Sequence, residues 1–282
     1  MSEAAPILAV QGLSVSFPGL RGERVRVVDD VSFEVGRGET VALVGESGSG
    51  KSVTALAIAG LGTPAAQVEG GRALLDGEDL IAMSDEERRV YRGTRIGMIF
   101  QSPRASLNPL VRAGEQIARV VRLHQGLGRD EAREAAIELM RSVGIEDPGR
   151  RARAYPHQLS GGMAQRVMIA MALAAEPELL IADEPTTALD VTIQAQIFDL
   201  LLDLRERHDM SVLLITHDLA VVAETSERVL VLYQGRLVES GSTHAIFTRP
   251  AHPYTQRLTR TILRADRRVE VPPEVRERAA AP

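Results

Sequence analysis

The sequence predicts an α/β fold, and three observations carry that prediction. Gly45-Glu46-Ser47-Gly48-Ser49-Gly50-Lys51-Ser52 matches the pattern G-x-x-x-x-G-K-S/T and lies between the apolar run 40–44 and the helix-like stretch 53–58. That is the strand-then-helix setting the pattern requires. Residues 179–184 and 211–216 are further apolar runs of the kind that fill strands buried on both faces of a parallel sheet. Between the strands, residues 112–123 and 129–143 place apolar side chains at helical spacing among abundant Arg and Glu.

The 282 residues include 44% apolar and 25% charged side chains, which is the composition of a soluble globular protein. A net charge of −5 without a long Lys/Arg block predicts no nucleic-acid partner. The longest apolar run, 168–175, is too short to span a bilayer, and the N-terminus has no basic segment followed by an apolar one. The chain is therefore expected to stay in the cytoplasm. With no cysteine it has no disulfide, thiolate zinc site or cysteine-bound iron–sulfur cluster. Tryptophan is also absent, so stacking on a base would fall to one of five Phe or four Tyr.

Residues 7–17 and 25–35 read as two β-rich runs joined by the turn Pro18-Gly19-Leu20-Arg21-Gly22. Phe17 closes the first run, where an aromatic ring serves either to stack on a nucleotide base or to pack in the core. In the phosphate loop, glycines let successive N–H groups face one anionic point at the positive end of a helix. Lys51 would reach the β- and γ-phosphates, and Ser52 would offer its hydroxyl to magnesium. Residues 70–77 make a short strand and turn, and Ser84-Asp85-Glu86-Glu87 caps a helix through Tyr91. The strand 96–100 ends at Gln101, which taken alone is a solvated polar residue.

The helical region from about 111 to 175 contains Tyr155-Pro156-His157-Gln158-Leu159-Ser160-Gly161-Gly162-Met163, followed by a long apolar helix. Ser160 suits an N-cap, and Gly161 and Gly162 leave the first N–H groups open, as a second anion site or a plain cap. At the end of the run 179–184, Asp183 suits magnesium and Glu184 suits an attacking water; the alternative is two solvated acids. Residues 186–190 lead into an amphipathic helix to His208, and the strand 211–216 ends at His217. A hairpin turns at Gln234-Gly235, a short helical region follows near 251–263, and the tail 264–282 is expected to be flexible or loosely docked.

The order of these motifs resembles the ABC ATPases. Residues 45–52, Gln101, Leu159-Ser160-Gly161-Gly162, residues 179–184, Ala188-Leu189-Asp190 and His217 are similar to that family's Walker A, Q-loop, signature, Walker B, D-loop and switch histidine. The resemblance covers about 230 residues. It implies a P-loop NTPase fold, the ABC-type nucleotide-binding domain, with a RecA-like mixed sheet core, an antiparallel β subdomain and a helical signature subdomain. Residues 1–101 and 177–240 would form the ATP-binding core with its β subdomain, 102–176 the helical subdomain, and 241–282 a C-terminal extension, partly flexible.

Tyr155-Pro156-His157-Gln158 and the lack of a membrane helix resemble the importers of the family. Gly97-Met98-Ile99-Phe100-Gln101, Ser106-Leu107-Asn108-Pro109, residues 155–163 and Pro250-Ala251-His252-Pro253-Tyr254-Thr255 look like the dipeptide/oligopeptide/nickel branch. The resemblance therefore implies ATP hydrolysis driving import of peptides, with nickel or another small solute as the alternative cargo. Met163 is similar to one of two paralogous ATPases, which implies a second paralogous ABC ATPase subunit as partner. Two transmembrane permease subunits and, indirectly, an extracytoplasmic solute-binding protein complete the implied assembly on the cytoplasmic face of the membrane.

ATP and magnesium (Mg2+) are the implied cofactors. ATP would lie between one subunit's Gly45, Ser47, Gly48, Ser49, Gly50, Lys51, Ser52 and Val53 and the other subunit's Leu159, Ser160, Gly161 and Gly162, with Asp190 among the nucleotide-binding set. On this resemblance Phe17 stacks on adenine, Glu184 is the base and His217 contacts the γ-phosphate. Ser52, Gln101 and Asp183 hold magnesium. The chain departs from the branch at Ser102, commonly Asp; at Ala164, commonly polar or basic; and in lacking the cysteine cluster of many members. Two rivals fit less well. A soluble ABC protein of repair or translation would carry a coiled coil or second cassette, and a P-loop kinase has no use for residues 159–163.

Overall fold

The computed structural model describes residues 5–19, 22–187 and 189–265. The chain begins with β1 (Leu8–Pro18), β2 (Arg24–Val35), β3 (Thr40–Val44), α1 (Lys51–Ile58), β4 (Gln67–Leu75), β5 (Glu78–Asp79), α2 (Asp85–Thr94) and β6 (Ile96–Ile99). Helices follow: α3 (Pro103–Ser106), α4 (Ala113–Gln125), α5 (Arg129–Ser142), α6 (Pro148–Arg151), a 3₁₀ turn at Pro156–Gln158, and α7 (Gly161–Leu173). The remainder is β7 (Leu179–Asp183), α8 (Val191–His208), β8 (Ser211–Ile215), α9 (Leu219–Thr225), β9 (Arg228–Tyr233), β10 (Arg236–Ser242), α10 (Thr243–Thr248) and α11 (Pro253–Ala265). Ala188 and the expected loose tail beyond Ala265 lie outside the described residues.

Two sheets organise these elements. An antiparallel sheet runs β2-β1-β4-β5, and a mixed sheet runs β10-β9-β3-β8-β7-β6. In the second, β9, β3, β8, β7 and β6 are mutually parallel and β10 returns antiparallel on β9. β4 starts at Gln67, earlier than the glycine pair at 70–71 suggested, because Gln67 pairs with Ser16 across a β-bulge. Ser84 caps α2 through a reciprocal box with Glu87, and the helix kinks at Arg92-Gly93 just after Tyr91.

Every residue of β3, β7 and β8 is buried. Their side chains alternate between cores on the sheet's two faces. Val41, Leu43, Ile181, Leu213 and Ile215 join Ala55 and Ile58 of α1 and the antiparallel sheet on one face. Leu180, Ala182, Val212 and Leu214 join Ile117, Met140 and Ile169 of the helical segment on the other. α1 and α7 are thus on opposite faces. α7 ends against the start of β6, so closely that a Cβ on Gly97 would lie 2.7 Å from the Ala172 carbonyl oxygen. Its 13 residues rise about 20 Å, so its N-terminus reaches the level of the strands' C-terminal ends.

Candidate functional site

The phosphate loop leaves β3 and runs into α1. Two of its glycines are sterically required. A Cβ on Gly45 would sit 2.2 Å from the Leu232 carbonyl oxygen. At Gly50, φ is 107° and a Cβ would meet Val27 O at 2.7 Å. The loop is pressed between β9 and β2, and its outer side, at Glu46, Ser47 and Gly48, is exposed. Lys51 is buried, and its Nζ donates to Gly45 O at 2.8 Å and Glu46 O at 3.0 Å. Burial lowers the Lys51 pKa, and the charges of Glu184 and Asp183 resist that shift. Ser49 Oγ is buried in the loop without a hydrogen-bond partner. An orphaned hydroxyl inside a cradle of N–H groups fits an oxygen-rich anionic ligand.

Strand order brings distant carboxylates to this loop. β3 is separated from β7 by β8 alone, so the C-terminal ends of β6, β7, β8 and β3 form one edge. Open α/β sheets bind ligands at such an edge. Asp183, 5% exposed at the end of β7, accepts from Ser52 Oγ at 2.9 Å. Burial raises the Asp183 pKa, and the Ser52 hydroxyl opposes this. Hydroxyl and carboxylate oxygens side by side suit a hard cation such as magnesium. No group of three or more His, Cys, Asp or Glu that could hold a metal occurs among the described residues.

Glu184 turns away from β7 with φ at 46°, a left-handed conformation uncommon for residues other than glycine. Its N–H donates to Ile215 O at 2.8 Å. Its carboxylate accepts from Gln101 Nε2 at 2.7 Å and Thr187 Oγ1 at 3.0 Å, and lies 3.4 Å from His217 Nδ1. Gln101 and His217 follow the ends of β6 and β8, the two strands that flank β7. Burial pushes the Glu184 pKa up, but Thr187, His217 and Gln101 together outweigh it and hold the group below the ordinary glutamate value. Glu184 is therefore a carboxylate at neutral pH. Thr187 was missed in the sequence as a partner; the available signal was a hydroxyl three residues after an acid at a strand end.

Ser160 caps α7, accepting from Met163 N at 3.2 Å. Cβ atoms on Gly161 and Gly162 would meet Leu189 Cδ2 at 3.3 Å and Ile193 Cγ2 at 3.0 Å. The start of α7 therefore abuts the start of α8, which Asp190 caps by accepting from Ile193 N at 3.0 Å. Leu159 is buried, as is Ala164, whose side chain belongs to the helical core. The apolar environment explains an alanine there. Ser102 is exposed at the start of α3, and its carbonyl accepts from Ser106. Phe17 is half-buried at the end of β1 and lines a cavity of about 270 Å³ with Val53, Leu56 and Ala57 of α1. The structure thus joins Ser52, Asp183, Glu184, Gln101 and His217 in one cluster. Ser160, Gly161, Gly162 and Asp190 form a separate group across the sheet.

The model of the ABC transporter family matches residues 28–187. The chain belongs to that family. It is 53% identical over 256 residues to the dipeptide transport ATP-binding protein DppD of Escherichia coli (strain K12), covering 91% of this chain and 78% of DppD. It is 50% identical over 256 residues to the oligopeptide transport ATP-binding protein OppD of Bacillus subtilis (strain 168), covering 90% of this chain and 71% of OppD. A dimeric ATP-binding cassette solved in a post-hydrolysis state with ADP and Pi superposes with a TM-score of 0.75 at 30% identity, over 84% of this chain and 98% of that one. As an ABC ATPase the chain binds and hydrolyses ATP, and its α/β fold with one mixed and one antiparallel sheet is that of an ABC nucleotide-binding cassette. Among the described residues no helix of this ABC ATPase is long and apolar enough to cross a membrane.

Proposed function

We propose that this chain is the nucleotide-binding subunit of an ABC importer for di- or oligopeptides, hydrolysing ATP at the cytoplasmic face of the membrane. The observation that carries the chemistry is the meeting of Ser52, Asp183, Glu184, Gln101 and His217 at one sheet edge beside the phosphate loop. The cargo reading rests on the likeness to DppD and OppD. Loop N–H groups and the unpartnered Ser49 hydroxyl receive phosphate oxygens. Lys51 keeps two bonds to the loop and turns its remaining N–H to the β- and γ-phosphates. Val53 and Phe17 line the apolar cavity beside α1, where the adenine base is received. Ser52, Asp183 and the Gln101 side-chain oxygen would hold magnesium, which would supply charge neutralisation for the phosphate oxygens.

Glu184 takes the proton of the attacking water. Its depressed pKa keeps it a competent acceptor, and Thr187, Gln101 and His217 fix its orientation. His217 is also directed to the γ-phosphate. Because α1 and α7 start on opposite faces of the sheet, one chain supplies a phosphate loop to one site and a signature to another. Ser160, Gly161 and Gly162 act on ATP bound by a second ATPase subunit, and Met163 supports a paralogous partner rather than a second copy. Residues 1–101 with 177–240 form the ATP-binding core, 102–176 move as the helical subdomain, and two permeases receive that motion near Gln101. A solute-binding protein outside the membrane would select the cargo. The test is to isolate the subunit from solubilised membranes, identify what accompanies it, and measure ATP hydrolysis with and without peptide-loaded binding protein. Peptide-stimulated hydrolysis with a paralogous ATPase present is expected. Recovery of the free chain alone would overturn the importer reading.

A further inference from the structure

The stretch Pro250-Ala251-His252-Pro253-Tyr254-Thr255 enters the function above only as part of a resemblance. In the structure it leads into α11 and supplies its first residues, and it reaches the phosphate loop. Tyr254 is 2% exposed, packed in a core with Val44, Val229 and Val231, and its ring stacks on Tyr233 of β9 with centroids 4.2 Å apart. Its hydroxyl oxygen accepts the backbone N–H of Glu46, 208 positions earlier, at 2.9 Å. Glu46 is the second residue of the phosphate loop. Its carbonyl, with that of Gly45, receives Lys51 Nζ. Phenol, peptide and ammonium thus form one hydrogen-bonded chain.

We infer that Tyr254 is a positioning residue for the nucleotide site, its hydroxyl fixing Glu46 and through it Lys51, so that ATP affinity depends on the docking of α11. The inference rests on reading residues 45–52 as the ATP phosphate site. The docking of α11 is itself well tied. Glu239 of β10 accepts from Ala251 N at 2.7 Å and His252 N at 2.9 Å, and Gln256 Nε2 donates to Pro250 O at 3.0 Å. A second tie reaches the loop from the β9–β10 turn, where Gly235 N donates to Ser49 O at 3.0 Å. Packing alone does not call for the hydroxyl. Phenylalanine would fill the same apolar space and keep the stack on Tyr233, whereas the Glu46 N–H would lose its partner.

The test uses the full chain and equilibrium binding of magnesium-ATP to the parent, Y254F, Y233F and K51A. Y254F should bind ATP about threefold to tenfold more weakly, the range for one lost hydrogen bond. Its nucleotide-free melting point should fall by no more than about 4 °C. Y233F, whose hydroxyl accepts from Gln234 Nε2 at 3.2 Å and not from the phosphate loop among the described residues, should stay within about twofold of the parent. In the assembled transporter, Y254F should raise KM for ATP by the same factor with kcat within about twofold. Parent-like affinity in Y254F, or an equal loss in Y233F, would overturn the inference. If K51A binds ATP as the parent does, the phosphate-loop reading fails and this inference with it.

Discussion

Replacing Glu184 by glutamine keeps the side chain's size and removes its charge and one acceptor oxygen. The carboxylate now takes donors from Gln101 at 2.7 Å and Thr187 at 3.0 Å, with His217 at 3.4 Å. Both donors meet the same oxygen, Oε2, which a glutamine can present as its amide oxygen, while the new NH2 group takes the place of Oε1 beside His217 Nδ1. The structural cost is therefore about 1–2 kcal/mol, too small to unfold the chain. The catalytic cost is larger. The neighbouring carboxylate in the chain, Asp183, is held by Ser52. Removing a general base costs about 10² to 10⁴ in rate, or about 2.7 to 5.4 kcal/mol at 1.36 kcal/mol per decade. The assay is phosphate release by the assembled transporter, with ATP affinity measured separately on the full chain. Affinity should stay within about threefold while kcat falls at least about a hundredfold. Turnover within about tenfold of the parent would remove Glu184 from the role of base.

Thr187 is the leading group that lowers the Glu184 pKa against burial, so T187V should let that pKa rise. Since the reaction needs the carboxylate, the acid limb of the kcat–pH profile should move to higher pH; an unmoved limb would contradict the assignment. The stability sign agrees: a depressed carboxyl pKa stabilises the fold above the unfolded-state value and the contribution is lost as pH falls, so T187V should also unfold at higher pH during acid titration. Gly45→Ala places a Cβ 2.2 Å from Leu232 O and should abolish ATP binding, while Gly48→Ala, with nothing within 4 Å, should cost only the backbone strain of φ near 81°, about 1–2 kcal/mol. Equal melting-point losses in the two would refute the steric account. Asp183→Asn should weaken the apparent magnesium affinity about tenfold or more and leave metal-free ATP binding nearly intact, measured by magnesium titration at fixed ATP.

Elements that depend on neighbours in the chain were legible before any coordinates. The glycine pattern of the phosphate loop, the Ser84–Glu87 box, the Ser160 cap and the apolar runs of β3, β7 and β8 are local, because turns, caps and buried strands depend on near neighbours. They were enough to name the anion-binding loop, the second helix start and the acids at a strand end. How β3, β7 and β8 face their neighbours was illegible. All 15 of their residues are buried, so the apolar pattern does not say which side meets α1 and which meets α7. Only packing put those helices on opposite faces and so set the phosphate loop apart from the start of α7. Strand order likewise brought Ser52 to Asp183 across 131 positions and set Gln101 and His217 on either side of Glu184. The bond from Glu46 to Tyr254 spans 208 positions. A pattern read along the chain carries no information about such pairings, because they are chosen by how whole layers bury their apolar faces.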